Sequence, residues 1–253
     1  MLDSNASGSE IFTLEQLTGQ NDSHLIRLPA SLLGVENDHS NKKLLGHPKA
    51  VQALLELQAM AEKDQQTFQV ISGYRSYEQQ RNIWNRKFTG ELAILNAKEQ
   101  LVDILGLEPL KIIESIMLYS ALPGASRHHW GTDFDIFPVS AIKAGHKAQL
   151  LESEFSTSGV AGEFNQWMSE KLSLVSFFRP YEQFQGGIAC EPWHISYYPL
   201  ANAILEQLHK EKLLKVLNDS DLAGSKSICA NIELLYEKYI SNICSSESSH
   251  TSQ

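Results

Sequence analysis

The chain has 253 residues, 42% hydrophobic and 20% charged, a balance that excludes wholesale disorder, collagen and low-complexity architectures. With 30 acidic against 21 basic side chains, the net charge is −9. Such a chain is ill suited to sequence-independent nucleic-acid binding, which needs clustered cations, and to an anionic membrane surface. Its length allows one large domain or two small ones. Cys190, Cys229 and Cys244 form no CxxC pair and no disulfide framework, which points to reduced thiols. The N-terminal stretch lacks a basic start followed by an apolar run, and no apolar run of about 18 residues occurs. No membrane insertion is expected. The expected setting is cytoplasmic, or periplasmic or released if a leader has been removed.

In chain order, the terminal segments, residues 1–10 and 245–253, are small and polar and are expected to fray. Residues 48–63 carry Val51, Leu54, Leu57 and Ala61 on one helical stripe. The run from Thr67 is a short strand stopped by Gly73. Helices are expected over Tyr77–Lys87 and Leu110–Tyr119, the latter ended by Pro123 and Gly124. Thr132 to Phe137 alternates polar and apolar residues, which predicts a strand with one polar face, closed by Pro138. Glu163–Leu172 reads as a helix, and Leu174–Phe178 and Ile188–Tyr198 as strands, the second interrupted by Pro192. Pro199 suits the first turn of a helix running to Leu217. Ile228, Ile232, Leu235 and Tyr239 mark a last helix. Strands scattered among helices without regular alternation argue an α+β fold. The expected organisation is a partly disordered extension over 1–44, a core over 45–200, helices over 201–244 packed on it, and a disordered tail over 245–253.

Most histidines stand alone: His24, His39, His47, His146, His209 and His250. Two segments differ, Ser126-Arg-His-His-Trp-Gly-Thr-Asp-Phe-Asp135 and Glu191-Pro-Trp-His194, each joining histidine to a carboxylate. A catalytic zinc ion takes three His, Asp or Glu ligands and leaves one position open. His128 or His129, Asp133 or Asp135, and His194 meet that count. Glu191 is the nearby carboxylate that would take a proton from an activated water. In a regular strand, residues 191 and 194 would face opposite ways. Pro192 must therefore kink the chain, or Glu191 must precede the strand. The competing reading is a solvated loop followed by a strand with two exposed acids. Arg75 stands just past a strand end, where a guanidinium can fork a carboxylate or steady an oxyanion. A surface arginine at a helix start is the plainer alternative. Trp84 and Trp167 read as core. Trp130 and Trp193, beside the histidines, fit either a cleft wall or core.

Together these segments resemble the zinc D-alanyl-D-alanine carboxypeptidase family, which groups with lysostaphin-type peptidases and the hedgehog signalling domain. The resemblance runs through Ser72 to Ser76 with Gln80 following. It continues through Ser126, His128, Gly131 and Asp135, then Glu191, Trp193 and His194, with Tyr197 three residues on. It covers roughly Leu45 to Leu200. It implies a small antiparallel sheet carrying Zn2+, flanked by helices, with a C-terminal helical extension. It implies that His128, Asp135 and His194 bind Zn2+, that Glu191 is the general base, and that Arg75 contacts the substrate carboxylate or the oxyanion. Ser126, Gln80 and Tyr197 become candidates for substrate contact. The implied partner is a peptidoglycan stem peptide, and the implied reaction is removal of the terminal D-alanine from D-Ala-D-Ala. L,D-carboxypeptidase, D-Ala-D-Ala dipeptidase and L-Ala-D-Glu endopeptidase activities share these motifs. A non-catalytic zinc-binding module is the alternative outside the enzyme class. Asp133 departs from the family's small residue. It would attract positive charge, shift the pKa of the base, or hydrogen-bond a ligand histidine.

Overall fold

The structure is a computed structural model and describes residues 10–34, 44–218 and 221–246. Most of both termini expected to fray, residues 1–9 and 247–253, lies outside the described residues. A two-stranded ladder near the start pairs β1 (Ile26–Arg27) with β2 (Leu45–Gly46). The stripe predicted over residues 48–63 forms the helix Pro48–Lys63. His47 caps it by accepting from the Lys49 N–H, and Pro48 occupies the first turn. Val51, Leu54, Leu57 and Ala61 are buried on its inner face.

Four further strands follow: β3 (Phe68–Ser72), β4 (Asp133–Pro138), β5 (Phe177–Phe178) and β6 (His194–Tyr197). They form one antiparallel sheet in the order β3-β4-β6-β5. Fold class and sheet are as expected: mixed helix and small antiparallel sheets. The register sets Asp135 opposite His194 and Asp133 opposite Ser196. Directly opposed residues share a face, so strand pairing alone brings Asp133, Asp135, His194 and Ser196 together. A register shift between Val70 and Ser72 still leaves Ser72 opposite Asp135 at the end of β3.

The other face of the sheet packs Phe134, Ile136 and Ile195 against the Pro48–Lys63 and Gly162–Lys171 helices. Each such side chain contributes on the order of 1.5–3 kcal/mol on burial. A second, mostly helical cluster gathers Trp84, Ile113, Ile204, Leu213 and Leu235. Every residue of β4 is buried. The polar face predicted for this strand therefore points inward rather than to water, and the exposed-acid reading fails.

Four elements differ from expectation. The last helix, expected through Ile228, Ile232, Leu235 and Tyr239, is interrupted at Asn231 between Ser225–Ala230 and Ile232–Leu235. The strand expected over Leu174–Phe178 is mostly a 3-10 turn, Leu172–Val175, and Ser176 at φ +62 reverses the chain into a two-residue strand. The strand expected over Ile188–Tyr198 shrinks to β6, because the Glu191 carbonyl accepts from the His194 N–H at 3.0 Å and closes a turn across Pro192. The helix expected over Pro199–Leu217 breaks into Tyr198–Gln207 and Lys210–Asn218. Leu208 leaves helical geometry there, which lets Leu208, Leu213 and Leu217 all reach the same core.

Candidate metal centre

His128 lies on a 3-10 turn, Arg127–Trp130, that precedes β4. Gly131 makes the entry possible. It adopts φ +69, and its carbonyl accepts from the His47 N–H at 2.7 Å. The end of β3 runs beside this turn, with the Arg75 N–H donating to the His128 carbonyl. Gly73 returns a carbonyl to His128 Nδ1 at 2.9 Å, which directs Nε2 toward Asp135 Oδ2 at 3.4 Å. His194 is held the other way round. Its Nε2 donates to Asp133 Oδ1 at 3.0 Å, while Nδ1 lies 3.3 Å from Asp135 Oδ1 and 3.5 Å from Glu191 Oε2.

The ligand atoms of His128, Asp135 and His194 all lie within 4.8 Å of one another, and all three residues are buried. The donor set suits a divalent transition metal: one nitrogen from each of two imidazoles, facing one carboxylate. Asp135 Oδ1 is buried and makes no well-formed hydrogen bond, as an oxygen reserved for a cation would be. The surrounding charges agree. Burial opposes charge on His194, yet its hydrogen bond to Asp133 and the adjacent Asp135 carboxylate outweigh it and push its pKa up to about 10. The same acids favour any positive charge at this point. Burial also works against ionised Asp135, but His128 and His194 hold its carboxyl well below the usual range.

Glu191 is buried beside this group, and burial, reinforced by Asp135, pushes its carboxyl up to about 8 despite His194 and Arg75. A carboxyl held so near neutrality suits proton transfer. A cavity of about 370 Å³ opens over these residues, at the lower end of the size range of small-ligand sites. Its lining includes Arg75, Ser126, His128, Asp135, Glu191 and His194. Among the described residues, the lining falls between Arg75 and His194.

Two expected substrate contacts fall elsewhere. Gln80 is fully buried, accepts from Arg75 Nη1 at 2.8 Å and donates to the Ala121 carbonyl. It steadies Arg75 from behind rather than facing the cavity. Tyr197 is an odd number of positions from His194 on the same strand, so its ring points to the opposite face and packs on Phe177 at 5.7 Å. His129 is no ligand. Its Nδ1 reaches the Arg75 carbonyl at 2.6 Å, and its Nε2 accepts from the Gly124 N–H. Trp193 lines the cavity, whereas Trp130 is core and donates to the Leu17 carbonyl.

Sequence reasoning passed over Arg127, Lys87 and Tyr181. Arg127 is buried, donates to Asp133 Oδ1 at 2.7 Å and to Ser196 Oγ at 2.6 Å, and lies 4.8 Å from the Trp130 ring. Asp133 is thus held between Arg127 and His194. Burial disfavours its charge, but Arg127 keeps its carboxyl ionised, with the pKa down at about 2. Of the roles open to Asp133, hydrogen bonding a ligand-set histidine is the one its contacts support. Tyr181 lines the cavity, with its ring 5.1 Å from that of His194.

The sequence model of the VanY D-alanyl-D-alanine carboxypeptidase family matches residues 43–200. An uncharacterized protein of Haemophilus influenzae is 32% identical over 121 residues, covering 47% of this chain and 92% of its own length. Among solved structures, the LdcB LD-carboxypeptidase aligns over 85% of this chain and 78% of its own, with 22% identity and a TM-score of 0.50. VanYB in complex with D-alanine-D-alanine aligns over 75% of this chain and 92% of its own, with 23% identity and a TM-score of 0.45.

Proposed function

The chain belongs to the VanY family of D-alanyl-D-alanine carboxypeptidases, a family of peptidases, and on that footing we propose that it removes the terminal D-alanine from stem peptides ending in D-Ala-D-Ala, using zinc. The observation that carries this reading is the convergence of His128, Asp135 and His194 within 4.8 Å, with Glu191 3.5 Å from His194, on one cavity.

His128 Nε2, an Asp135 oxygen and His194 Nδ1 would hold the ion. A divalent ion at such a site supplies Lewis acidity toward the scissile carbonyl and makes water a better nucleophile. Glu191 takes the proton of the attacking water and returns it to the leaving amine. Its buried carboxyl, beside the ligand group and lining the cavity, is placed for both directions of that transfer. Arg75 offers its guanidinium to the charge that develops on the carbonyl oxygen, and Gln80 and Ser72 fix its plane. Ser126 lines the cavity and is available to the peptide backbone.

The test is mass spectrometry of stem peptides incubated with zinc-loaded protein. Loss of one alanine from a pentapeptide ending in D-Ala-D-Ala, with its tetrapeptide and free D-Ala-D-Ala intact, is the expected result. Cleavage of the tetrapeptide or of the free dipeptide instead would move the activity to an L,D-carboxypeptidase or a dipeptidase. Cleavage of an internal bond would make it an endopeptidase. No cleavage with zinc bound would leave a binding module.

A further inference from the structure

Lys87 sits in the last turn of the Tyr77–Phe88 helix, where a lysine ordinarily reaches water and offsets the helix dipole. Here its side chain turns into the wall of the cavity that Arg75 and Glu191 also line. Its Nζ donates to the Ser120 hydroxyl at 2.6 Å, a neutral partner. One neutral acceptor leaves most of the donor capacity of an ammonium unmatched. Arg75 is similar: its guanidinium donates to the neutral Gln80 Oε1 and Ser72 Oγ. The acids of the cavity, Asp135 and Glu191, approach His128 and His194 instead. The cavity therefore has a cationic side whose two charges have only neutral hydrogen-bond partners. Burial disfavours the charge on Lys87 and Arg75 adds to that cost, which Glu191 across the cavity offsets only in part, so an anion arriving at Lys87 relieves both.

We propose that Lys87 is the seat of the substrate's C-terminal carboxylate and makes the cavity selective for a free chain end. The proposal rests on the peptidase reading above and gives its two cations separate tasks. Lys87 holds the carboxylate, with Ser120 steering its Nζ, and Arg75 is left for the carbonyl oxygen. Ala93 and Leu95, also in the wall, suit a small apolar side chain on the residue to be released.

The probe is N-acetyl-D-Ala-D-Ala, which has a single carboxylate, compared with its C-terminal amide. Binding is measured by calorimetry on chelator-treated protein, and kcat and KM on zinc-loaded protein. The wild type is expected to bind the acid more tightly than the amide. Lys87→Met should weaken acid binding about 10- to 100-fold, the scale of a charged hydrogen bond, and leave the amide unchanged. In turnover the loss should fall on KM. Lys87→Arg should keep most of the preference, and Ser120→Ala, which leaves the charge in place, should weaken acid binding severalfold. Equal loss for acid and amide in Lys87→Met, or an undiminished acid preference, overturns the proposal. Lys87-dependent acid binding without any peptide cleavage keeps the carboxylate seat and removes the peptidase reading. Cleavage that Lys87→Met leaves untouched does the reverse.

Discussion

Asp133 Oδ1 lies 3.0 Å from His194 Nε2, on the side of the imidazole away from the cavity-facing Nδ1. The contact orients His194 and leaves Nδ1, rather than Nε2, as the nitrogen a cation would displace a proton from. A carboxylate behind a ligating histidine also raises its basicity. Asp133→Asn is therefore expected to lower zinc affinity by about 10- to 100-fold, in addition to the stability lost by leaving Arg127 without its carboxylate. Titration against a competing chelator checks this, and unchanged affinity would make Asp133 only a partner of Arg127.

Arg127 gives the second expectation. It is buried, and its Nε is 2.7 Å from the same Asp133 oxygen. Removing one partner of a buried ion pair strands the other, at a cost of about 3–5 kcal/mol. Arg127→Met should lose about that much stability in urea unfolding. Arg127→Met combined with Asp133→Asn, which removes the unpaired carboxylate and keeps an amide oxygen to accept from His194 Nε2, should recover much of it. A double variant no more stable than Arg127→Met would mean that the Ser196 and Trp130 contacts of Arg127 matter more than its charge pair.

Glu191 tests the chemistry apart from the metal. Glu191→Gln preserves the shape of the side chain and removes the base. It should keep a full equivalent of zinc and lose about 10²- to 10⁴-fold in kcat. His194→Ala should instead abolish tight zinc binding. Retained turnover in Glu191→Gln would remove Glu191 from the role of base, and a full zinc complement in His194→Ala would remove His194 from the ligand set.

His129 predicts a stability response to acid. Burial drives its pKa from an ordinary 6.5 down to about 3, against the opposing pull of its bond to the Arg75 carbonyl. Below pH 6.5 the unfolded chain protonates this imidazole and the folded one does not. Stability therefore falls as the pH drops from about 6.5 toward 3, by at most about 1.4 kcal/mol per pH unit from this residue. His129→Gln can still donate to Arg75 and accept from Gly124, and it does not titrate. Its unfolding free energy should decline less steeply than that of the wild type between pH 6.5 and 4.5. Both are measured in chelator, so that metal loss does not enter. Parallel slopes would show that His129 is not held neutral.

What is legible in the sequence follows from how local each signal is. The Pro48–Lys63 helix is readable because Pro48 and a continuous apolar stripe mark it within one element. Asp135 and His194 are recognisable by motif, and their meeting follows from antiparallel pairing. Strand parity explains the failure at Tyr197: an offset of three from His194 turns a side chain to the other face. Lys87 and Arg127 look like solvated cations because what buries them is distant. Ser196, which Arg127 contacts, is 69 positions away, and Ser120, the partner of Lys87, is 33 away. The break at Leu208 has the same origin. Nothing in the 200–217 pattern forbids a continuous helix, but the bent path is what buries both Ile204 and the distal Leu217 in one cluster.

Gly131 supplies the last expectation, because the position of His128 depends on it. An alanine Cβ there would stand 2.6 Å from Leu25 Cδ2 and 2.9 Å from the His47 backbone nitrogen. The leucine terminus can swing aside. The His47 nitrogen cannot, since it donates to the Gly131 carbonyl at 2.7 Å. The left-handed backbone, φ +69, adds strain for any residue with a Cβ. Gly131→Ala should therefore lose about 2–4 kcal/mol of stability and weaken zinc binding, because the Arg127–Trp130 turn must shift. Gly106 is the control, at φ +77 with nothing within 4 Å of an added Cβ. Gly106→Ala meets only the backbone strain and should cost about 1 kcal/mol with zinc affinity unchanged. Equal losses in the two variants would mean that the His47 contact yields freely, and that Gly131 serves the turn by its backbone conformation alone.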